Sequence, residues 1–364
     1  MKAIIAAGGH GTRLRPITWT LNKHLIPMRN EPMIWNAIKK IAEIGVTQIA
    51  INVNPGETDL QEVCGDGERW GVELTYIEQS GGAVGIGQIV YNAREFIDDD
   101  DVLYYLGDNI ILGSLQRFVD RFVNDSLDCC LAFARVREPE RFGVAMFDKR
   151  GKLSGFIEKP EIPPSDLAVT GIYLYKMKPH LEAFRHISPK DSARNEYEIT
   201  HIHDWLLKNG YKVGYEEITG WWKDTGKAED LLEGNQLLLN EMTIEEALID
   251  ETAQVHETAQ LQGRVKVGAH TVIGPCTLIR GPVVIGDGVK ISDSFIGPHT
   301  SIGNAVTIEG AEIMHSIVME EAVIKTQKRI LDSIIGRGAV LNGEMMGVSG
   351  AHSMVIGQNS TLTL

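Results

Sequence analysis

Cysteines and aromatic residues are scarce in this sequence, and it has no apolar run of membrane-spanning length. The four cysteines, Cys64, Cys129, Cys130 and Cys276, show no Cys-x-x-Cys or Cys/His spacing, and the adjacent pair is poorly placed for a mutual disulfide. We therefore expect buried or free thiols in a reducing cytosol. The apolar start, residues 1–7, is too short for the core of a secretory signal. These features predict a cytoplasmic protein without a membrane partner.

Positive charge is also in short supply. The chain of 364 residues has 35 Lys and Arg against 49 Asp and Glu, so the formal net charge is -14. Nucleic acids and anionic membranes bind clustered cations, and this balance argues against both as partners. A phosphate ligand would have to bind at a locally basic site. With 43% apolar residues, the chain is long enough to form two domains with separate cores.

The first two thirds of the chain alternate apolar runs with amphipathic stretches. The pattern predicts a Rossmann-like α/β domain over residues 1–245, with a mixed, mostly parallel sheet and helices on both faces. The clearest segments are strands at 3–6, 48–53 and 102–106 and a helix at 33–44. Helical spacing of Leu231, Leu232, Asn235, Leu238 and Leu239 predicts a linking helix over 231–246.

Aliphatic residues recur at every sixth position of the C-terminal third. The first seven are Val255, Leu261, Val267, Ile273, Ile279, Ile285 and Ile291. A period of six excludes an ordinary helix or sheet and is typical of a left-handed parallel β-helix, in which three hexads make one triangular coil. We therefore predict a β-helix domain over residues 246–364.

The hexad frame slips by one residue after Ile291 and again before Val318, and it returns near Ile335. We expect these slips to be bulges or small loops, with about five coils of eighteen residues between 255 and 341. Ile356 and Gly357 could add another edge. Flat parallel faces and exposed coil edges favour association with further copies, so we predict a homo-oligomer.

A glycine-rich loop, Gly8-Gly9-His10-Gly11-Thr12-Arg13-Leu14, follows the first predicted strand. Backbone N–H groups in such a turn can cradle phosphate oxygens. The dinucleotide-binding motif would need a third glycine where Leu14 stands, and the P-loop would need Gly-Lys-Ser/Thr where Thr12-Arg13-Leu14 stands. The loop is therefore neither of these two common nucleotide-binding motifs.

Two aspartates have apolar or aromatic neighbours in the sequence. Asp108, in Leu106-Gly107-Asp108-Asn109, comes directly after a hydrophobic strand, where open α/β sheets bind ligands. Asp224 lies in Trp221-Trp222-Lys223-Asp224-Thr225-Gly226. Two carboxylates suit one Mg²⁺ that also binds phosphate oxygens, although a single Asp is more often a turn or cap residue.

The motifs together resemble the sugar-phosphate nucleotidylyltransferases. The resemblance lies in residues 8–16 with Lys23, in Phe142-Gly143-Val144, in Glu158-Lys159-Pro160 and in Val169-Thr170-Gly171. Residues 191–200 and 220–227, with the β-helix, resemble the long form of the glucose-1-phosphate thymidylyltransferases. The resemblance covers essentially the whole chain.

The resemblance implies a Mg²⁺-dependent transfer from dTTP to glucose-1-phosphate that releases pyrophosphate and forms dTDP-glucose. It implies catalytic roles for Arg13, Lys23, Asp108, Lys159 and Asp224, with Asp108 and Asp224 as the metal ligands. The implied nucleotide-binding residues are Gly8, Gly9, Gly11, Thr12, Arg13, Lys23, Gln79, Gly85 and Asp108. The implied sugar-phosphate residues are Gly143, Glu158, Lys159, Val169, Thr170 and Gly171.

Some positions depart from the family pattern. The segment Glu78–Gly87 keeps Gln79 and Gly85 but lacks the usual proline and continues with Gln88 in place of the usual histidine. This departure leaves the base open between thymine and uracil. Glucose-1-phosphate and N-acetylglucosamine-1-phosphate also remain alternatives, because they differ by one or two contacts.

A second function is considered for the β-helix. Similar coils form acetyl-CoA sites in some sugar-nucleotide enzymes, where a histidine acts as base. The candidates are His270, His299, His315 and His352, although a histidine on a solvated coil face is the commoner finding. A non-catalytic sugar-nucleotide sensor would be expected to lack Arg13, Lys23, Asp108 or Asp224, and the chain has all four.

Overall fold

The computed structural model describes residues 1–82, 84–243, 247–343 and 351–363. Two compact units are present. The first contains residues 1–9 and 34–224, and the second contains residues 10–33 and 225–364. The N-terminal segment 10–33 thus groups with the C-terminal part of the chain, and the predicted boundary near residue 245 stays a prediction.

The strands up to Asp224 lie in a large sheet and two small ones. They are β1 Lys2–Ala6, β2 Pro27–Met28, β3 Glu31–Pro32, β4 Gln48–Val53, β5 Glu73–Glu78, β6 Val102–Leu106, β7 Asn109–Ile111, β8 Cys129–Arg135, β9 Gly143–Phe147, β10 Leu153–Glu158, β11 Leu167–Tyr175, β12 Val213–Glu217 and β13 Trp222–Asp224. The helices are α1 Met33–Glu43, α2 Asp59–Cys64, α3 Ile89–Asn92, α4 Arg94–Ile97, α5 Gln116–Asn124, α6 Met177–His186, α7 Ile199–Lys208 and α8 Ala228–Asn240.

The large sheet has nine strands in the order β10-β9-β11-β6-β1-β4-β5, with β8 paired to β11 and β12. The β6-β1-β4-β5 portion is parallel, as is the pair β12-β8, whereas β11 runs antiparallel to β6, β8 and β9. The predicted mixed Rossmann-like sheet is confirmed, and the predicted strands at 48–53 and 102–106 coincide with β4 and β6.

The core of the first unit lies against this sheet. Apolar side chains of β1, β6, β8 and β11 pack with those of α3, α4 and α7, and fully buried examples are Ile4, Tyr104 and Phe133. Parallel strands covered on both faces become continuous apolar runs, which is why β4 and β6 could be read from the sequence. Cys129 and Cys130 are buried in β8 and Cys64 is buried in α2, and all four cysteines are free thiols.

The C-terminal strands form three parallel sheets of seven, seven and six strands. The first sheet contains β14 Leu248–Ile249, β17 Val265–Val267, β20 Val283–Ile285, β23 Thr300–Ile302, β26 Ile317–Val318, β29 Ile334–Ile335 and β32 Val355–Ile356. The second contains β15 Gln254–Val255, β18 Val272–Ile273, β21 Lys290–Ser292, β24 Thr307–Glu309, β27 Val323–Thr326, β30 Val340–Gly343 and β33 Thr361–Thr363. The third contains β16 Gln260–Gln262, β19 Leu278–Arg280, β22 Phe295–Ile296, β25 Glu312–Met314, β28 Arg329–Leu331 and β31 Ala351–His352.

Each sheet contributes one ladder of aliphatic side chains to the β-helix core, as the hexad pattern predicted. The frame slips, however, are not bulges or added loops. Ile279 lies opposite Ile296 and Ile302 lies opposite Val318, so these coils have 17 and 16 residues and the ladder remains unbroken. The slips are shortened turns, with Asp293 at a φ of 49° in the first of them.

The linking helix differs from its predicted bounds. α8 begins at Ala228, three residues before the predicted start, and ends at Asn240. Its first turn is acidic, and the side chain of Asp230 accepts a hydrogen bond from the backbone N–H of Lys227, which explains the earlier start. Residues 244–246, the end of the predicted helix, lie outside the described residues. In the described ranges, no helix is long and apolar enough to cross a membrane.

Candidate functional site

Four parallel strands of the large sheet end at the same edge, and predicted site residues follow three of them. Ala6 of β1 lies opposite Leu106 of β6, and β4 and β5 end alongside them. Gly8, Gln79 and Asp108 follow β1, β5 and β6. Open α/β sheets bind ligands at the carboxyl ends of their strands, so this edge is the candidate site of the first unit.

Gly8 lies between two polar side chains at this edge. A Cβ atom on Gly8 would lie 3.0 Å from Asn52 Nδ2 and 3.0 Å from Gln79 Oε1. Asn52 Nδ2 donates to Gln79 Oε1 over 3.3 Å, and Gln79 Nε2 donates to the Gly82 carbonyl over 2.8 Å. The structure thus brings together Gly8, predicted to bind phosphate, and Gln79, predicted to recognise the base.

The predicted base-recognition segment is held by backbone hydrogen bonds. Gly85 has a φ of 108°, and a Cβ atom there would lie 2.6 Å from the Tyr197 carbonyl oxygen. The Gly87 N–H donates to that oxygen over 2.9 Å, and the Tyr197 N–H donates to the Val84 carbonyl over 2.6 Å. Both the φ and the close approach require glycine at position 85. Ala83, in the same segment, lies outside the described residues.

The remainder of the glycine-rich loop lies in the second unit. Gly11 has a φ of 56°, and a Cβ atom there would lie 2.9 Å from Thr18 Cγ2 and 3.1 Å from Lys23 Cβ. The Thr18 hydroxyl donates to the Gly11 carbonyl over 2.7 Å. These contacts bring the loop and Lys23 together, as the predicted phosphate site requires.

Arg13 lies on a short 3-10 helix, Thr12–Leu14, within the same loop. Thr12 and Arg13 are exposed, as is Gly9 in the first unit. A Cβ atom on Gly226 would lie 3.0 Å from Arg13 Nη2. The guanidinium therefore packs over the backbone of Gly226, and a side chain at that position would displace it.

Asp108 and Asp224 lie on neighbouring segments of the first unit. Strand β7 pairs antiparallel with β13, and Asp224 lies directly opposite Asn109, the residue after Asp108. Asn109 Nδ2 donates to Asp108 Oδ1 over 3.0 Å. The pairing explains how two carboxylates more than a hundred residues apart in sequence come together.

Asn109 is held in place by the same pairing. Its Oδ1 accepts hydrogen bonds from Trp222 Nε1 over 2.7 Å and from the Gly171 N–H over 3.0 Å. A Cβ atom on Gly171 would lie 2.7 Å from Asn109 Nδ2. Asn109, which is 2% exposed, therefore orients the carboxylate of Asp108. The sequence analysis quoted this residue within its motif but assigned it no role.

The donor atoms here suit a hard divalent cation. Mg²⁺ is usually bound by one or two carboxylates together with substrate phosphates, and Asp108 and Asp224 supply two carboxylates. In the part of the chain that the structure describes, no group of three or more His, Cys, Asp or Glu could hold a metal ion. Three carboxylates nonetheless lie close enough to Tyr173 to affect its pKa. Burial raises the pKa of Tyr173, and the carboxylates of Glu158, Asp108 and Asp224 raise it further.

The predicted sugar-phosphate residues meet where β9 pairs with β10. Gly143 lies opposite Glu158, and a Cβ atom on Gly143 would lie 2.6 Å from Thr200 Cγ2 and 3.1 Å from Glu158 Oε2. The Thr200 hydroxyl donates to Glu158 Oε2 over 3.3 Å, and Lys159 Nζ lies 3.3 Å from Glu158 Oε1. The structure therefore brings Gly143, Glu158 and Lys159 together, with a hydroxyl, a carboxylate and an ammonium group.

The sequence analysis missed a second cation at this place. Arg194 Nη2 lies 3.3 Å from Glu158 Oε1, and its Nε donates to Glu198 Oε1 over 2.9 Å. Glu198 is only 4% exposed. The signal was available, because Arg194 belongs to the stretch 191–200 on which the family resemblance rests.

Val169 and Thr170 are buried in β11 beside Gly171. The Thr170 hydroxyl donates to the Ala132 carbonyl of neighbouring β8 over 2.8 Å. This hydrogen bond of Thr170 joins β11 to β8 and therefore stabilises the sheet.

Two of the four β-helix histidines make specific contacts. His315 Nδ1 lies 2.5 Å from Asp332 Oδ1, and its Nε2 is buried. His299 Nε2 lies 3.1 Å from Asn240 Oδ1, and burial lowers the pKa of His299. A general base must reach its substrate, so the packing of these two rings gives no support to acyl transfer.

The other two histidines lie at the surface or at the end of the coil. His270 is exposed, at a φ of 55°. His352 lies opposite Ile330, at the end of the third aliphatic ladder. Acyl transfer by the β-helix stays a prediction.

Two family models match the chain. Residues 2–241 match the model of the nucleotidyl transferase family. Residues 279–363 match the model described as the GMPPB C-terminal domain.

Two full-length relatives are 37% and 38% identical to the chain. It is 37% identical to the low-salt glycan biosynthesis nucleotidyltransferase Agl11 of Haloferax volcanii, over 100% of both chains. It is 38% identical to the glucose-1-phosphate thymidylyltransferase of Streptomyces antibioticus, over 100% of this chain and 99% of the relative. A Bacillus anthracis protein solved with sucrose and provisionally named a glucose-1-phosphate thymidylyltransferase is 39% identical with a TM-score of 0.61, covering 67% of this chain and 97% of that one.

Proposed function

Because the chain belongs to the nucleotidyl transferase family and is a sugar-1-phosphate nucleotidyltransferase, we propose that it transfers a thymidylyl group from dTTP to glucose-1-phosphate. The products are dTDP-glucose and pyrophosphate. The observation that carries the proposal is the sheet edge at which Gly8, Gln79 and Asp108 follow three of four parallel strands. The name of the full-length Streptomyces antibioticus relative supports the choice of base and sugar.

The proposed reaction is an in-line displacement at phosphorus. An oxygen of the sugar phosphate attacks the α-phosphorus of dTTP, and the bond from that phosphorus to the bridging oxygen breaks as the new P–O bond forms. Pyrophosphate leaves with the bonding electron pair. The attacking phosphate is already an anion at neutral pH, so the chain needs no general base and no covalent intermediate. Its task is to position two substrates and offset charge.

Arg13 and Lys23 are proposed to offset the negative charge of the leaving pyrophosphate. The backbone N–H groups of residues 8–12 contribute further donors to phosphate oxygens. The packing of Gly11 against Lys23 supports this assignment, because it brings a cation beside the glycine-rich loop.

Asp108 and Asp224 are proposed to hold Mg²⁺. A bound Mg²⁺ would neutralise phosphate oxygens and favour departure of pyrophosphate. Asn109 fixes the orientation of Asp108 through the 3.0 Å hydrogen bond to its Oδ1, so the carboxylate is positioned before any ligand arrives.

Glu158 is proposed to recognise sugar hydroxyls, and Lys159 to bind the sugar phosphate and position it for attack. The backbone of Gly143 and residues 169–171 would line the sugar. The contacts of Glu158 with Thr200 and Lys159 support the assignment, since they group an acceptor and a cation at one place. Arg194 adds a second cation to that group.

The first test is pyrophosphate release by the purified protein with Mg²⁺. Each of dTTP, UTP, CTP, ATP and GTP is paired with glucose-1-phosphate and with N-acetylglucosamine-1-phosphate. We expect the fastest release with dTTP and glucose-1-phosphate. Faster release with UTP or with N-acetylglucosamine-1-phosphate would support the proposed mechanism but show that the substrate assignment is wrong. Release with no pair would reject the proposal.

We also propose that the β-helix mediates homo-oligomerisation. β14, β15 and β16 are the terminal strands of their three sheets, and Leu248, Ile249 and Val255 on them are 53%, 41% and 37% exposed. Exposed apolar edge strands favour association. Size-exclusion chromatography with light scattering measures the mass of the protein in solution. A monomer mass at micromolar concentration would contradict homo-oligomerisation.

A further inference from the structure

The first of the three β-helix sheets has a covered outer face over its middle strands, β20 to β29. Its outward side chains alternate with the core ladder, and Val284, Ser301, Ile317 and Ile334 among them are at most 6% exposed. The outward Lys290 in the second sheet is exposed. α8 packs against β23 of the first sheet. The β-helix therefore uses one face to bind other parts of the second unit.

Asn235, on α8, joins three segments at this face. Its Oδ1 accepts a hydrogen bond from the Arg29 N–H over 2.7 Å and one from the Ser301 hydroxyl over 2.8 Å. Its Nδ2 donates to the His299 carbonyl over 3.3 Å. Asn235 and Ser301 are both 0% exposed. A buried amide with these partners is costly to disturb, because any group that loses its hydrogen bond stays out of water.

Arg29 lies in the turn of a hairpin that also contacts the β-helix directly. Strands β2 and β3 pair antiparallel, and the turn residues Arg29 and Asn30 have φ values of 52° and 60°. Asn30 Nδ2 donates to the Ile302 carbonyl over 2.6 Å. The hairpin is thus fixed to β23 through Asn30 and to α8 through Asn235.

The hairpin continues from the segment that bears Lys23. Lys23–Leu25 forms a 3-10 helix that ends directly before the hairpin, and the Ile26 N–H donates to the Lys23 carbonyl over 3.2 Å. Lys23 in turn packs against Gly11 of the glycine-rich loop. A further β-helix contact lies two residues after that loop, because a Cβ atom on Gly357 would lie 3.2 Å from Pro16 Cβ. A short continuous path therefore runs from Asn235 to Lys23 and Gly11.

We propose that Asn235 is a positioning residue that ties the β-helix to residues 10–33 and so holds Arg13 and Lys23 for the nucleotide. The β-helix then acts as a rigid platform for the glycine-rich loop. The proposal rests on the proposed function, since the roles of Arg13 and Lys23 belong to it.

The variant Asn235→Ala removes the acceptor shared by Arg29 and Ser301. The hairpin then loses its bond to α8, and the cations beside it lose their fixed position. Because small misplacements of binding groups cost one to two orders of magnitude in rate, we expect kcat/KM for the nucleotide to fall about 10- to 100-fold. The KM for the sugar phosphate should change less than about twofold, since Glu158 and Lys159 lie in the other unit.

Two further variants separate positioning from a general loss of stability. Ser301→Ala removes one of the two donors to Asn235, so it should have a smaller effect alone and no added effect in the Asn235→Ala background. Ser316→Ala is the matched control. Ser316 is equally buried at 0% exposure, but its hydroxyl donates within the β-helix, to the Met314 carbonyl over 2.7 Å. It should lower the melting temperature without changing the nucleotide KM.

Amide hydrogen exchange supplies a readout that does not depend on turnover. We expect faster exchange of residues 22–33 in Asn235→Ala than in the wild type and unchanged exchange in Ser316→Ala. Unchanged exchange of this segment in Asn235→Ala, or the same kinetic change in Ser316→Ala, overturns the proposal. If the wild-type protein shows no turnover, the proposed function is rejected. The exchange measurement would still decide whether Asn235 holds residues 22–33 in place.

Discussion

At the scale of single residues, Asp108 is the most direct test of the metal site. The variant Asp108→Asn keeps the size of the side chain and an oxygen that can accept from Asn109, but removes the negative charge. We expect turnover to fall about 100- to 1000-fold, because the variant loses a carboxylate ligand of the Mg²⁺ that would neutralise phosphate charge. The measurement is pyrophosphate release across a Mg²⁺ titration.

Asp120→Asn provides the control for Asp108→Asn. Asp120 lies on α5, where its Oδ1 accepts from Gln116 over 2.8 Å at the surface. This variant should retain wild-type turnover. Near-normal Mg²⁺-dependent turnover in Asp108→Asn would remove Asp108 from the metal site.

Gly143 tests the sugar-phosphate residues by steric means. An alanine Cβ there would lie 2.6 Å from Thr200 Cγ2 and 3.1 Å from Glu158 Oε2, so Gly143→Ala must displace Thr200, whose hydroxyl donates to Glu158. We expect the KM for the sugar phosphate to rise about 10-fold with a smaller change in the nucleotide KM. In Gly113→Ala, whose Cβ would meet only the Thr219 carbonyl at 3.4 Å, both KM values should stay unchanged. Equal effects of the two variants would contradict the assignment.

The candidate residues that could be predicted from the sequence are those whose position depends on the neighbouring strand in the sequence. Gly8 and Asp108 could be placed because each follows an apolar strand, and strand ends form ligand sites in α/β sheets. Arg194 received no role although it lies four residues from its partner Glu198, within the stretch 191–200 of the resemblance. Asn109 received no role because its function depends on partners distant in sequence. Asn109 requires Trp222 across the β7-β13 pair, and one sequence does not reveal that pairing.

At the scale of elements, the β-helix ladder predicts where substitutions destabilise. Ile313 in β25 is 0% exposed in the core, whereas Val272 in β18 is 36% exposed on an outer face. We expect Ile313→Ala to lower the free energy of unfolding by about 2–5 kcal/mol, and Val272→Ala by less than about 1 kcal/mol. Urea unfolding monitored by circular dichroism provides the measurement. Equal losses would mean that the ladder does not carry the stability of the coil.

The sequence predicted the β-helix because one aliphatic residue per hexad is a strong periodic signal. The sequence was misinterpreted at the frame slips: the step from Ile291 to Ile296 is five residues rather than six, which a shorter turn explains and a bulge or loop, which adds residues, does not. The sequence did not reveal the role of Asn235. In sequence that residue is one position of an amphipathic helix, and its partners Arg29 and Ser301 lie far away along the chain.

At the scale of the whole molecule, two buried histidines make the first unit acid-sensitive. Burial lowers the pKa of His180 to about 3. Burial also lowers the pKa of His203 to about 3, with a smaller contribution from His180. The ordinary pKa of histidine is 6.5. Below about pH 6.5 these two side chains are therefore protonated in the unfolded chain but remain neutral in the folded chain. Stability is therefore fully present above pH 6.5 and is lost as the pH falls toward 3.

The variant His180→Phe should remove half of this acid sensitivity. In the described ranges neither ring nitrogen of His180 has a hydrogen-bond partner, so the ring can be replaced without breaking a bond. Between pH 7 and pH 5, we expect the loss in the free energy of unfolding to be smaller than in wild type by about 2 kcal/mol. Urea unfolding followed by tryptophan fluorescence reports mainly on the first unit, which contains every tryptophan except Trp19. His186→Phe, at an exposed position, should keep the wild-type loss, and the same loss in His180→Phe would show that His180 does not set the acid response.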